Sequence, residues 1–165
     1  ISERMVAIRA AVPEATLIVD ANESWRSEGL AARCQLLADL DVAMLEQPLP
    51  AGDDAALANF IHPLPICADE SCHTRESLPA LKGRYEMVNM KLDKTGGITE
   101  ALALAAEARQ QGFALMLGCM LCTSRAINAA LPLAGEVQFA DLDGPTWLAV
   151  DVSPALHYTT GMVHL

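Results

Sequence analysis

Positive charge is scarce in this chain. Eleven lysines and arginines stand against 21 acids, giving a net charge of −10 and a pI near 4.7. A surface of that sign repels phosphate and argues against nucleic acid as a partner. Lysine occurs only three times, and two of the three, Lys91 and Lys94, fall in one stretch, VNMKLDKTGG (88–97). Long apolar runs are missing as well. None reaches the roughly 18 residues that a membrane span needs, and the first residues carry no signal-peptide pattern. The five cysteines are odd in number and lack framework spacing, which points to a reducing compartment, the cytoplasm. A starting Met is also lacking: ISERMVAIRAAVPEA opens directly on a helical pattern, with Ser2 as its N-cap. A piece of a longer polypeptide is therefore expected.

With 52% hydrophobic residues and a mean hydropathy of +0.25, a 165-residue chain can build a large core. Its apolar residues come in short runs: TLIVDAN (16–22), VAMLEQP (42–48), LPICADES (64–71), EMVNMKL (86–92), FALMLGCM (113–120) and EVQFADLDG (136–144). Helical patterns separate most of them. SEGLAARCQLLADL places Leu30, Cys34, Leu37 and Leu40 at helical spacing. GITEALALAAEARQQG ends at Gly112, a helix stop. SRAINAALPLAG is expected to break at Pro132, DDAALANFI to form a helix, and TRESLPALKG a short one. Strand alternating with helix implies βαβ units and a parallel sheet. The strands lack clean alternation, as when both faces are covered. VDANESW has no glycine-rich phosphate turn of the kind an open dinucleotide-binding sheet carries. The expected fold is α/β, the last six strands of a (β/α)8-type barrel.

The strand ends carry the polar residues. Asp20, Glu46, Asp69 and Lys91 each end a different run, and Asp141 and Asp143 end the last one. Barrel active sites are built at that end of the strands. Strand parity sets Ile18, Asp20 and Asn22 on one face, Cys67 with Asp69, Asn89 with Lys91, and Asp141 with Asp143. A lone strand-end Asp is as readily a turn or capping residue, and a lone strand-end lysine can snorkel. Three acids in register with a lysine on the next strand call for more. Three carboxylates repel when brought together, and a hard divalent cation such as Mg2+ resolves that with oxygen ligands. Well-placed histidines are absent, which argues against zinc. A lysine beside such a cation is pushed toward its neutral form and becomes a plausible general base. The fitting chemistry removes a proton alpha to a carboxylate, with the metal holding the enediolate. GCMLC holds a CxxC, Cys119 and Cys122, for which Cys67, Cys72 and His73 are imaginable partners. The alternatives there are zinc or redox chemistry and plain apolar packing.

In their order, VDANESW, LEQPLP, ADES and VNMKLDKTGGI resemble successive strand ends of the enolase superfamily, muconate-lactonizing subgroup. The resemblance covers essentially the whole chain. It implies Asp20, Glu46 and Asp69 as Mg2+ ligands, Lys91 as an acid/base, and Asn22 as a neighbour of the metal ligands. Glu70, of opposite parity, is not a ligand on that reading. The closing FADLDGP resembles the dipeptide epimerases of the superfamily, in which an Asp-x-Asp, here Asp141 and Asp143, receives the substrate ammonium. Their substrates are murein-derived dipeptides of the L-Ala-D/L-Glu type. The resemblance also implies a Lys-x-Lys on an earlier strand as the second acid/base. No such motif occurs in these 165 residues. It implies a missing N-terminal portion of the same polypeptide too, holding a cap domain and the first two strands. Residues 1–165 would then be the C-terminal part of the barrel domain, with 146–165 a tail returning toward the cap. Superfamily members often form homo-oligomers. Cycloisomerases and o-succinylbenzoate synthases share the metal site but need no ammonium receptor. A non-enzymatic alternative is an inactive half-barrel that lacks its second base.

Overall fold

The computed structural model describes residues 2–164. They form two compact units, one running through Cys72 with Ser77–Val88, the other combining His73–Glu76 with the chain from Asn89 onward. The first unit holds α1 (Ser2–Ala11), β1 (Leu17–Asp20), α2 (Leu30–Asp39), β2 (Val42–Glu46), β3 (Ile66–Ala68), α3 (Leu78–Leu81) and the start of β4 (Met87–Met90). Its strands pair in parallel and in chain order. Asp20 lies opposite Glu46, Glu46 opposite Cys67, and Cys67 opposite Met87. Leu30, Cys34 and Leu37 form the buried stripe of α2, as their spacing predicts. The Arg9 guanidinium of α1 caps the other end of α2. It donates to the carbonyls of Leu40 (2.9 Å) and Asp41 (2.9 Å), and also to Ala15 (2.8 Å), satisfying carbonyls that a helix end leaves open.

The segment DDAALANFI differs from expectation. It makes a single 3-10 turn, Ala55–Asn59, and no α-helix. Pro63 and Pro65 follow closely and hold the residues before them extended, so the turn has no room to propagate.

The second unit holds the rest of β4, then α4 (Leu92–Thr95), α5 (Ile98–Gln110), β5 (Ala114–Leu117), α6 (Ser124–Ala134), β6 (Phe139–Ala140) and a hairpin of β7 (His157–Thr159) and β8 (Met162–His164). The Gly118 N–H donates to Met90 O at 2.8 Å, and β5 pairs with β6 in parallel. Gly112 ends α5 as its sequence implies. At φ 89° its N–H reaches Arg109 O, and the Phe113 N–H reaches Ala108 O, the two bonds of a Schellman closure. Pro132 does not break α6, which continues to Ala134. It falls in the last turn, and the carbonyl it leaves without a partner, that of Asn128, sits on an exposed residue that water can serve. β6 stops at Ala140, so Asp141 and Asp143 lie just beyond it rather than ending it, and the chain then turns at Gly144–Trp147 around Pro145. The tail is tied within this unit: Ser124 bonds Asp151, the Leu156 N–H donates to Ser124 Oγ (2.8 Å), and Tyr158 OH donates to Leu142 O (2.8 Å).

Both units therefore use one strand-then-helix repeat with parallel pairing. β3 and β4 are buried at every residue. Among the described residues no helix is long and apolar enough to cross a membrane.

His62 supplies a pH-dependent brace in the first unit. Its Nδ1 meets both Glu86 oxygens (2.8 and 3.0 Å) and its Nε2 meets Leu57 O at 2.8 Å. Two acceptors suit the doubly protonated ring. The Glu86 hydrogen bond, opposed by burial, raises the imidazole pKa. A raised folded-state value means that the stabilisation is complete below the unfolded value of about 6.5 and fades as pH rises through the folded one. Urea midpoints are expected to fall between about pH 5.5 and about pH 8.5, and His62→Gln should remove that part of the fall. An identical pH dependence in the variant would show that His62 contributes none of it.

Candidate active site at the strand ends

Of the five acids and one lysine expected at strand ends, five residues fall at strand termini. Asp20 and Glu46 are the last residues of β1 and β2, and Asp69, Lys91 and Asp141 are the first residues beyond β3, β4 and β6. Asp143 follows two positions on.

In the first unit, Asp20 and Glu46 are register partners, and Glu46 is opposite Cys67, two residues before Asp69. Glu46 and Asp69 are each 4% exposed. Asn22 grips Asp20: its backbone N–H donates to Oδ1 (2.8 Å) and its Nδ2 to Oδ2 (2.6 Å). That contact ties the Asp20 carboxylate to the turn that follows β1. Glu70 supplies the test of whether a cation suits the place. Its Oε2 is buried without a hydrogen-bond partner. Burial first, then the charges of Asp69, Glu23 and Asp20, push its carboxyl above the ordinary value. Buried Glu46 and Asp69, with exposed Asp20 at the neighbouring strand end, are carboxylates of the kind whose repulsion a hard cation relieves, so the residues fit a divalent ion such as Mg2+ in kind. In position, no three His, Cys, Asp or Glu among the described residues are gathered closely enough to hold an ion.

Sequence reasoning passed over Gln47, which is fully buried. Its Oε1 accepts from the N–H groups of Asp69 (2.9 Å) and Ser71 (3.1 Å). Its Nε2 faces Leu49 O (2.8 Å), Ser71 Oγ (2.9 Å) and Tyr85 OH (3.0 Å). Behind it, buried Asp54 accepts from Ser71 Oγ (2.7 Å), Tyr85 OH (2.7 Å) and Arg84 (2.8 Å). Burial opposes the Asp54 charge, but these donors outweigh it and hold the carboxyl below its ordinary value. The signal lay inside LEQPLP, where only the Glu was read.

In the second unit, Lys91 is half-buried and caps α4 in extended conformation. Lys94 is committed to structure, its Nζ donating to Asn89 O at 2.9 Å. Desolvation and the neighbouring Asp143 raise the Asp141 carboxyl, while Lys91 pulls it down. Asp143 accepts from Trp147 Nε1 at 3.0 Å. Asp141, Asp143, Thr146 and Tyr158 border a groove of about 520 Å3. Cys119 and Cys122 share a hydrogen bond, and burial holds both thiols above the ordinary value, Cys122 at about 11. They stand as neutral thiols near neutral pH, which suits packing.

Acids and one lysine at the ends of parallel strands define the α/β class that builds chemistry at that end of its strands. The chain belongs to the enolase C-terminal domain-like family, whose model matches residues 2–165. It is 86% identical over all 165 residues to L-Ala-D/L-Glu epimerase of Escherichia coli K12, covering 51% of that protein. A solved structure of an L-Ala-D/L-Glu epimerase superposes with a TM-score of 0.98 at 85% identity, over 99% of this chain and 52% of the other. An enolase family member from Agrobacterium tumefaciens, homologous to dipeptide epimerases and solved with sodium and L-Ala-L-Glu bound, gives 0.94 at 51% identity, over 98% and 49%. The chain spans about half the length of the curated relatives it matches. The (β/α)8-type expectation is met by these likenesses together with the parallel strand–helix repeat.

Gly118 is a second residue that sequence reasoning missed. A Cβ there would lie 2.7 Å from both amide atoms of Asn89 and 2.9 Å from Lys91 Cε. The lysine end can yield, but Asn89 is 1% exposed and cannot. Gly118→Ala should cost about 1–3 kcal/mol of stability, read by urea unfolding, and shift Lys91, read in a crystal structure. Unchanged stability with Lys91 in place would show that the contact relaxes at no cost.

Proposed function

We propose that this chain is the C-terminal barrel portion of an Mg2+-dependent dipeptide epimerase, cytoplasmic and active on L-Ala-D/L-Glu-type dipeptides of murein origin. The observation that carries the reading is the likeness to L-Ala-D/L-Glu epimerase along the whole chain. The placement of acids and lysine at strand ends agrees with it. Asp20, Glu46 and Asp69 would hold the cation, with Asn22 fixing the Asp20 carboxylate. When bound, such an ion supplies Lewis-acid stabilisation of negative charge on the substrate carboxylate.

Lys91 moves the proton. As a neutral amine it takes the proton alpha to the carboxylate, and as an ammonium it returns one. Packing over Gly118 limits where its Nζ can reach. Asp141 and Asp143 supply two carboxylates for the dipeptide ammonium, a pairing stronger than neutral hydrogen bonds. Lys91 serves one face of the alpha carbon. Epimerisation needs an acid/base on the other face, which the family resemblance assigns to an earlier strand.

A chimaera joining this chain to the remaining half of the E. coli relative tests the reading. It should exchange the Glu alpha proton of L-Ala-D-Glu for deuterium and interconvert the epimers. Lys91→Ala should lower turnover by about 10²–10⁴-fold. The 165 residues alone should be inactive. Absence of exchange in a folded chimaera overturns the epimerase reading, and turnover by the 165 residues alone overturns the need for a second base.

A further inference from the structure

We propose that Gln47 is a positioning residue that sets the spacing of Glu46 and Asp69, and that Asp54, acting through Tyr85 and Ser71, sets the orientation of Gln47. The inference rests on the metal reading above and concerns residues to which that reading gives no part.

Asp54 is ionised and 2% exposed, so it can only accept. Tyr85 OH and Ser71 Oγ both lie 2.7 Å from its Oδ2 and each has one proton to give. Having spent those protons on Asp54, both hydroxyls present lone pairs to the Gln47 amide. The amide turns its NH2 toward them, at 2.9 and 3.0 Å, and toward the Leu49 carbonyl at 2.8 Å. That choice leaves Oε1 facing the opposite way, onto the N–H groups of Asp69 and Ser71. A flipped amide would set Oε1 against two lone pairs and NH2 against two N–H groups. Arg84, 2.8 Å from Asp54 Oδ1, supplies the counter-charge that keeps Asp54 ionised.

The Gln47 backbone is clamped as well. Its N–H donates to Cys67 O at 2.9 Å, and its carbonyl accepts from Glu23 N–H at 2.8 Å. Its φ is +31°, unfavourable for a residue with a side chain. Such a conformation persists only where surrounding contacts hold it. One residue therefore ties the end of β2, where Glu46 is, to the segment beyond β3, where Asp69 is. Glu46 precedes it by one peptide bond, and Asp69 hangs from its side chain by one hydrogen bond.

Partners standing behind metal ligands typically change metal affinity by about 10–100-fold when removed. In the chimaera described above, Mn2+ titration followed by electron paramagnetic resonance and calorimetry reads the metal directly. Gln47→Met keeps the size and removes every side-chain hydrogen bond. It should weaken Mn2+ binding about 10-fold or more and broaden the bound-Mn2+ spectrum. Tyr85→Phe removes one of the acceptors that orient the amide, and should weaken Mn2+ binding by a smaller factor in the same direction. If Gln47→Met does not fold, Tyr85→Phe decides alone. Folded variants with wild-type Mn2+ affinity and spectrum overturn the proposal, whatever their urea midpoints, because a merely structural role moves the midpoint alone. A wild-type chimaera that binds no Mn2+ overturns the metal reading beneath it.

Discussion

A strand buried on both faces has no place along its length for a hydrated side chain. β3 and β4 are buried at every residue, and their backbone groups are spent on parallel neighbours. Polar chemistry is therefore displaced to the strand ends, where pairing stops and backbone groups must find side chains or turns. Every candidate residue sits at or just beyond such an end. The same constraint explains why the supporting residues are buried amides and hydroxyls: they satisfy the backbone where the ladder runs out.

Burial makes these supports exacting. A polar group out of water loses free energy unless each donor meets an acceptor. Gln47 meets this condition with partners on both ends of its amide, and Asp54 meets it with three donors. Because each hydroxyl has one proton, satisfaction at Asp54 reinforces the orientation of Gln47 that the Leu49 carbonyl and the Asp69 and Ser71 N–H groups also favour. In the second unit the corresponding constraint is volume. Gly118 gives Asn89 and Lys91 the space that any side chain would fill, and Lys94 is held to the β4 backbone, away from proton transfer.

Much of this was legible in the sequence. The strand–helix period, the acids near the strand ends, and the Gly112 stop follow from local rules: side-chain alternation, helical spacing, and the conformational freedom of glycine. The misses have one cause. The DDAALANFI helix was curtailed by prolines beyond its own pattern, α6 tolerated Pro132 because it falls in the last turn, and β6 was shortened by the turn that follows it. In each case the neighbouring segment, rather than the local period, decided how far the element ran.

By itself the sequence determined the order of elements and which residue types stand at the strand ends, since these depend on periods of two and 3.6 residues. Only the tertiary structure decided that Gln47 reaches Tyr85, 38 positions away, that Asp54 orients both, and that Gly118 lies under Lys91. Those contacts are made by residues that share no local period. They form only when packing brings distant strand ends together and burial leaves each polar atom with few partners to choose from.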